Sequence, residues 1–458
     1  MPNGTGSAHL IRPKLATVLG EGYGLGALRQ DAAAGLTVAV VALPLSMAIA
    51  VASGVSPAQG LYTAIVGGFI VSALGGSRHQ IGGPAGAFIV LVASTAAEFG
   101  VNGLLVAVML SGAMLTLLGL LRLGSLIRFV PHAVTVGFTG AIAVTILASQ
   151  LKDLGGLTLK GAEPGPLLAK LAALAYAAES VNLSALGLGG GVVAIILILR
   201  RWRPKWPGML IAVVAASTAS AALGLAVDTV GSRFGGIPSG FPIPVIPRLD
   251  WPLLAAVFPV ALSFTLLGAV ESLLSAKVAD SMTGRHHRSN MELVAQGIAN
   301  LVSPLFGGIN VTGTIARTAT NIRAGGRSPI SGILHALFLL LFMVVAAPLA
   351  GFVPLTALAG VLVVVAWNMA EKAEFLRLLR AWRTAAVLLT TFGVTLVHDL
   401  TAGIVAGCGL AAAFAVLGRS VAAEGDADPQ PGSREPPPQP LKIATLPTPG
   451  PRDAPTDL

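Results

Sequence analysis

Long apolar runs separated by short basic or mixed loops fill this chain from about residue 32 to residue 417. Twelve runs approach membrane-spanning length: 32–52, 61–74, 104–121, 131–150, 183–199, 208–227, 253–278, 291–305, 330–349, 353–367, 385–397 and 402–417. A membrane helix needs about 20 mainly apolar residues. Two further runs, 84–97 and 313–322, are shorter and richer in glycine and threonine. At 1.5 Å per residue the second reaches about 15 Å, half of a hydrocarbon core. The pattern predicts an all-α polytopic membrane protein of about fourteen segments, two of them half-helices introduced by short extended pieces.

Loop charge supports that count. With a cytoplasmic N-terminus, the inner loops hold Arg78, Arg122 with Arg128, the RRWRPK run at 200–205, RHHR at 285–288, Arg323 with Arg327, and the basic stretch 372–383. The outer loops hold Glu98, the mixed region 152–163, residues 228–250 and Asp399. This is the positive-inside pattern, and it places both termini in the cytoplasm, as in an inner (plasma) membrane protein. Residues 367–382 carry apolar residues at helical spacing with charge opposite, the mark of a helix lying along the interface. Residues 166–178 are read the same way on the outer side.

Composition sharpens the picture. Hydrophobic residues make up 54% and charged residues 11%, and mean hydropathy is +0.82, whereas soluble domains are about 25% charged. The formal charge of +9 is distributed between apolar runs and forms no patch for nucleic acid. A lone Cys408 and seven scattered histidines leave no internal disulfide, structural metal or redox centre to expect. No phosphate-cradling GxxxxGK[ST] motif and no nucleophilic constellation occurs, so the chain is read as neither an ATP-driven pump nor an enzyme. The expected organisation is a cytoplasmic segment 1–30, a transporter domain 31–420, and a disordered proline-rich tail 421–458.

The two short segments share an introduction. Leu74-Gly75-Gly76 precedes SRHQI and Gly82-Gly83-Pro84; Phe306-Gly307-Gly308 precedes INVT and Gly313. Each is the third of seven segments, and seven is odd, so repeats at about 31–227 and 252–417 would insert with opposite orientation. Inverted repeats with interrupted helices place a transport site near the bilayer midplane. Two helix N-termini facing each other there, each with partial positive charge and unpaired N–H donors, predict an anion site. The expected substrate-binding residues are Gly83, Pro84, Ala85, Gly86, Ala87 and Phe88 from the first half, and Val311, Thr312, Gly313, Thr314, Ile315 and Arg317 from the second.

At DAAAGLTVAVVALPLSMAIA, GVSPAQGLYTAIVGG, LGGSRHQIGGPAGAF, GAVESLLSAKVADSMTG and GGINVTGTIARTATNIRAGGRSP the chain resembles the SulP anion transporters, which include prestin relatives and cyanobacterial bicarbonate transporters. The resemblance covers about residues 31–417. It implies a uracil-permease-like 7+7 inverted repeat with core and gate domains, an elevator-type movement, and commonly a dimer. Most members carry a cytoplasmic STAS domain, and this chain has its proline-rich tail instead. Leu45 stands where many members have Gln, and Ala85 where the bicarbonate branch has Thr.

Glu271 is the one acid in the interior of a long apolar helix, away from its ends, and acids so placed are functional by default or paired. Three readings stand. Glu271 binds a coupling proton; Glu271 with Ser275, one turn on, ligates sodium weakly; or Glu271 pairs with Arg317. The longer carboxylate favours the proton. Asp31 is expected to cap the first helix, Lys277 and Asp280 to pair, and His132 and His335 to be satisfied core histidines. The expected function is secondary transport of a small anion (sulfate, bicarbonate or a dicarboxylate), coupled to protons, with sodium-dependent bicarbonate symport or channel-like anion conduction as alternatives.

Overall fold

The structure, a computed structural model, describes residues 11–124, 131–159, 161, 164, 167–204, 206–398 and 400–416. The tail expected at 421–458 lies outside the described residues, as do Arg128, Glu163, Lys205 and Asp399. The protein is mostly helical. A short α1 (Lys14–Gly20) precedes α2 (Leu25–Ala52), α3 (Pro57–Tyr62), a π-helical turn at Thr63–Gly67 and α4 (Gly68–Leu74). The two-residue strand β1 (Gly82–Gly83) and a 3₁₀ turn at Gly86–Phe88 then feed α5 (Ile89–Leu120). Next come α6 (His132–Gly155), α7 (Leu167–Tyr176), α8 (Leu183–Trp202), α9 (Gly208–Ala222) and α10 (Val230–Phe234). The second half runs through α11 (Trp251–Thr283), α12 (Ser289–Val302), strand β2 (Thr312–Gly313), α13 (Ile315–Arg323) and α14 (Pro329–Ala350). It ends with α15 (Leu355–Met369), α16 (Lys372–Leu378), α17 (Trp382–Val397) and α18 (Leu400–Val416).

Helices therefore stand wherever the apolar runs marked them. Among the described residues, eight are long and apolar enough to cross a membrane. The difference from fourteen has two sources: α9, α12, α13, α17 and α18 are each shorter than eighteen residues, and 86–120 counts as one helical run. That run is broken at Gly100, whose φ of 69° and ψ of 176° are not helical. A residue with a Cβ would resist this backbone, so the glycine separates the first short segment from the one after it.

The helices pack in two groups. In one, α5 lies against α11 and α12, α14 against α2 and α4, and α13 against α11 and α2. In the other, α6 lies against α15 and α17, α8 against α9 and α15, and α17 against α18. Small residues let these backbones approach. Gly112 faces the Gly297 carbonyl and the Leu301 amide across the α5–α12 contact, and a Cβ there would come within 2.7 Å of either.

Several local expectations are corrected. Asp31 does not cap the first helix, because α2 begins six residues earlier at Leu25. It holds the segment just before α14 instead: its carboxylate accepts from the Arg327 amide at 2.7 Å, the Ser328 amide at 3.3 Å, the Ser328 hydroxyl, and Tyr23 Oη at 2.8 Å, while Ser328 itself caps α14. Asp280 does not pair with Lys277. It accepts from the His287 amide at 3.0 Å and lies 2.6 Å from His287 Nδ1, because the chain turns at Gly284 and brings His287 back. His132 is not a core residue: it opens α6 half-exposed and pairs with Glu374 at 2.8 Å.

Candidate functional site

The two glycine strands meet. β1 and β2 pair antiparallel, with Gly82 opposite Gly313 and Gly83 opposite Thr312. The Thr314 amide continues the pairing onto the Ile81 carbonyl at 3.2 Å. The ladder fixes the ends of two chain segments that then diverge as helices, so the 3₁₀ turn leading into α5 and the N-terminus of α13 start from one place. Ala85 and Thr314 occupy the N-cap positions in extended conformation, and neither side chain caps its helix. The first amides of a helix have no partner within it. At α13 these are the amides of Ile315, Ala316 and Arg317, and Ile315 and Ala316 are exposed.

Behind β2 lies a buried polar scaffold. Asn300 on α12 accepts from the Val311 amide and donates to the Val311 carbonyl, both at 2.8 Å. Gln296 also donates to that carbonyl and accepts from the Ser272 hydroxyl at 2.8 Å. The Gly313 amide donates to Ser272 Oγ at 3.1 Å, and Thr312 Oγ1 lies 3.3 Å from the same atom. The sequence expectation that residues 311–313 offer donors to a substrate is thus altered: Val311 and Gly313 have their amides engaged, and the Thr312 hydroxyl faces the scaffold. Gly313 is required here because a Cβ would run into the Gln80 side chain, which itself donates to the Ser272 carbonyl at 3.2 Å.

Arg317 crosses the ladder from α13. Its guanidinium donates to the Gly82 carbonyl at 3.3 Å and to the Ser46 hydroxyl on α2 at 3.0 Å, and the residue is only 2% exposed. A Cβ at Gly83 would occupy the place of Arg317 Nη1. On the other flank, Phe88 stacks on Phe264 of α11 with ring centroids 5.8 Å apart. A Cβ at Gly86 would meet Met369 Sδ at 3.2 Å and Ile146 Cδ1 at 3.6 Å. The first half-site is therefore closed by apolar groups, with Pro84, Ala85 and Ala87 buried, and the fixed charge enters from the second.

Glu271 and Arg317 do not form an ion pair among the described residues. Glu271 Oε2 is buried with no hydrogen-bond partner among the described residues. The Ser275 hydroxyl donates to Thr318 Oγ1 at 3.3 Å, and the same oxygen accepts from the Ile81 amide at 3.2 Å. His335 is not a satisfied core histidine among the described residues, where neither ring nitrogen has a hydrogen-bond partner. Among the described residues, no group of three His, Cys, Asp or Glu is arranged to hold a metal ion.

A cavity of about 710 Å³ lies elsewhere, between α2, α9, α14 and α15, lined almost wholly by apolar side chains such as Met47, Val213 and Phe342. It offers nothing to an anion.

Residues 28–393 match the family model described as the sulfate permease family. The chain belongs to that family. YvdB of Bacillus subtilis, named as a candidate sulfate transporter, is 42% identical over 398 residues, which are 86% of this chain and 74% of that protein. The bicarbonate transporter BicA of Picosynechococcus is 31% identical over 392 residues, 82% of this chain and 69% of its own. The solved transmembrane domain of a cyanobacterial BicA superposes with a TM-score of 0.76 at 31% identity, covering 83% of this chain and 98% of that one. The structure of SLC26A9 superposes with a TM-score of 0.81 at 19% identity, over 88% of this chain and 68% of that one, and shows the shared fold. Relatives in this family are membrane transporters of anions, not enzymes.

Proposed function

We propose that this chain is a secondary active transporter that carries a small anion, sulfate, bicarbonate or a dicarboxylate, together with protons. The observation that carries the reading is the β1–β2 ladder. It gathers the starts of two helices and one buried guanidinium at a single point, a place where backbone donors, helix dipoles and fixed charge favour an anion. The anion would sit between residues 84–88 and the first turn of α13, with the Ile315, Ala316 and Arg317 amides as donors and Arg317 as counter-charge.

The same reading divides the chain into two inverted repeats of seven segments. The group built on α2, α5, α11, α12 and α14 holds both half-helices and would be the core domain, and the group built on α6, α8, α15, α17 and α18 would be the gate. Sliding the first past the second would move the site across the membrane as an elevator. Placement in the inner membrane with cytoplasmic termini, and assembly as a homodimer, follow the same family pattern. Glu271 would take the coupling proton, since its Oε2 is buried with no hydrogen-bond partner among the described residues and acids inside membrane helices are functional by default. Ser275 turns its hydroxyl to Thr318, which leaves the sodium reading with a weaker ligand set.

Uptake into proteoliposomes of labelled sulfate, bicarbonate and succinate tests this directly. An inward proton gradient should drive accumulation, and Glu271→Gln should abolish the gradient's effect. Accumulation that follows sodium and ignores pH would replace the proton reading with sodium symport, and voltage-scaled current without coupling would replace it with conduction.

A further inference from the structure

Asp280, His287 and Ser289 form a relay where α11 gives way to α12. Sequence spacing shows no nucleophilic constellation here; the turn at Gly284, with φ of 67°, makes one by folding His287 back onto Asp280. Asp280 Oδ2 accepts from the His287 amide at 3.0 Å and lies 2.6 Å from His287 Nδ1. On the far side of the ring, His287 Nε2 lies 3.0 Å from Ser289 Oγ. These contacts fix the tautomer. An ionised carboxylate only accepts, so Nδ1 carries the proton and the bare Nε2 accepts from the Ser289 hydroxyl. Acid, base and nucleophile thus stand in the order that activates a serine. A fastening for the loop needs only the two contacts to Asp280, whereas the third sets a hydroxyl against a base.

Ser289 is also the first residue of α12, after Arg288 at the N-cap, and no side chain caps that helix. The first amides of a helix have no partner within it. Those of α12 belong to Ser289 and the residues after it, so donors and the positive helix end stand near the hydroxyl, as an oxyanion formed there requires. Arg285 and His286 are exposed, and His287 and Ser289 are partly exposed, which opens the hydroxyl to a reactant from solvent.

We propose that Ser289 is an activated nucleophile that accepts an acyl group from an activated ester or thioester, with His287 as general base and Asp280 as its positioning residue. Ser289 Oγ bonds to the carbonyl carbon while His287 Nε2 takes its proton. The tetrahedral oxyanion then collapses, the bond from carbon to the leaving oxygen or sulfur breaks, and His287 returns the proton to that leaving group. The products are an acyl-serine and a free phenol, alcohol or thiol, with no other reactant consumed. The activity stands apart from anion transport. Its place in the fold is nonetheless close to the ladder's supports: the Arg288 amide donates to the Gly76 carbonyl in the lead to β1 at 2.9 Å, and α12 carries the Asn300 that holds Val311.

The full chain in detergent, treated with a fluorophosphonate probe, tests the nucleophile. The probe forms a serine–phosphorus bond and releases fluoride, and peptide mass spectrometry locates the adduct. Ser289 should react at least ~100-fold faster than Ser281, whose hydroxyl donates to the Val278 carbonyl instead, since a positioned general base contributes on that order. His287→Gln should bring Ser289 to the Ser281 rate. Asp280→Asn should lower the maximal labelling rate and leave the half-saturating probe concentration unchanged, a split that loss of a loop fastening alone would not give. The acyl arm uses p-nitrophenyl acetate: the unaltered protein should release an equivalent of phenolate or more, and Ser289→Ala should not. Equal labelling of Ser289 and Ser281, labelling of Ser289 that survives His287→Gln, or phenolate release retained by Ser289→Ala each overturns the proposal and leaves the three residues as a loop fastening. Should a variant not fold, the ratio of Ser289 to Ser281 labelling within the unaltered protein decides alone.

Discussion

Arg317 on α13 and Ser46 on α2 are joined by a 3.0 Å hydrogen bond that passes beside the β1–β2 ladder. The bond holds the guanidinium plane against the Gly82 carbonyl and ties the second half-helix to α2. Arg317→Gln should lower anion affinity by about 10- to 100-fold, the range for losing a charged hydrogen-bonding partner. Ser46→Ala removes one neutral acceptor and should weaken it only about 2- to 10-fold. Concentration dependence of uptake in proteoliposomes separates the two, and equal losses would show that Arg317 acts through position alone.

Gly83 is the position where the smallest change should have the largest effect on the site. A methyl group there displaces Arg317 Nη1, and overpacking of this kind costs about 1–3 kcal/mol. Gly83→Ala should therefore abolish uptake while the protein still unfolds cooperatively. Gly190→Ala, where no atom lies within 4 Å of the added carbon, should leave uptake unchanged and serves as the control.

Asp31 holds the start of α14. Asp31→Ala removes the acceptor shared by the Arg327 amide, the Ser328 amide and the Ser328 hydroxyl, which should lower stability by about 2–3 kcal/mol. Tyr23→Phe removes one of the contacts to the same carboxylate and should cost about 1 kcal/mol. Thermal unfolding in detergent measures both.

Lys14 supplies a pH signature. Burial first, then the nearby Arg288 and Arg78, lower its pKa from 10.5 to about 8. Between pH 8 and 10.5 the unfolded chain therefore binds more protons at this residue than the folded protein does, and stability from this group rises with pH across that window. Lys14→Met should raise the melting temperature near pH 7, and the advantage should shrink as pH climbs through 8 toward 10. A constant difference across that range would refute the assignment.

The fold class was legible because bilayer-length apolar runs and loop charge are local signals. The matching leads into Gly82-Gly83-Pro84 and Thr312-Gly313-Thr314 marked two comparable pieces, but their direct antiparallel pairing, in place of two ends facing across a cavity, shows only in the fold. The scaffold behind them was not legible. Asn300, Gln296 and Ser272 read as ordinary polar residues in helical stretches, and only folding shows that they share the Val311 and Gly313 backbone groups. Asp31 misled for a related reason: an acid near the start of a helix reads as that helix's cap, whereas the backbone amides it binds lie almost three hundred residues on. His335 misled because sequence carries no sign of whether a buried imidazole finds a partner.

The ladder between the glycine strands also bears on how the protein comes to exist. Gly82 and Arg317 bond to each other across 235 residues of sequence. At ribosomal rates of about 5–20 residues per second, the first half-helix must wait roughly 10–50 seconds in the membrane before its partner strand is made. Throughout that interval the β1 edge has exposed backbone groups in an apolar medium, where unsatisfied polar groups are expensive. Assembly of the site is thus a late event in biogenesis, and truncation anywhere before β2 leaves a nascent chain whose first repeat has an open edge for quality control to recognise.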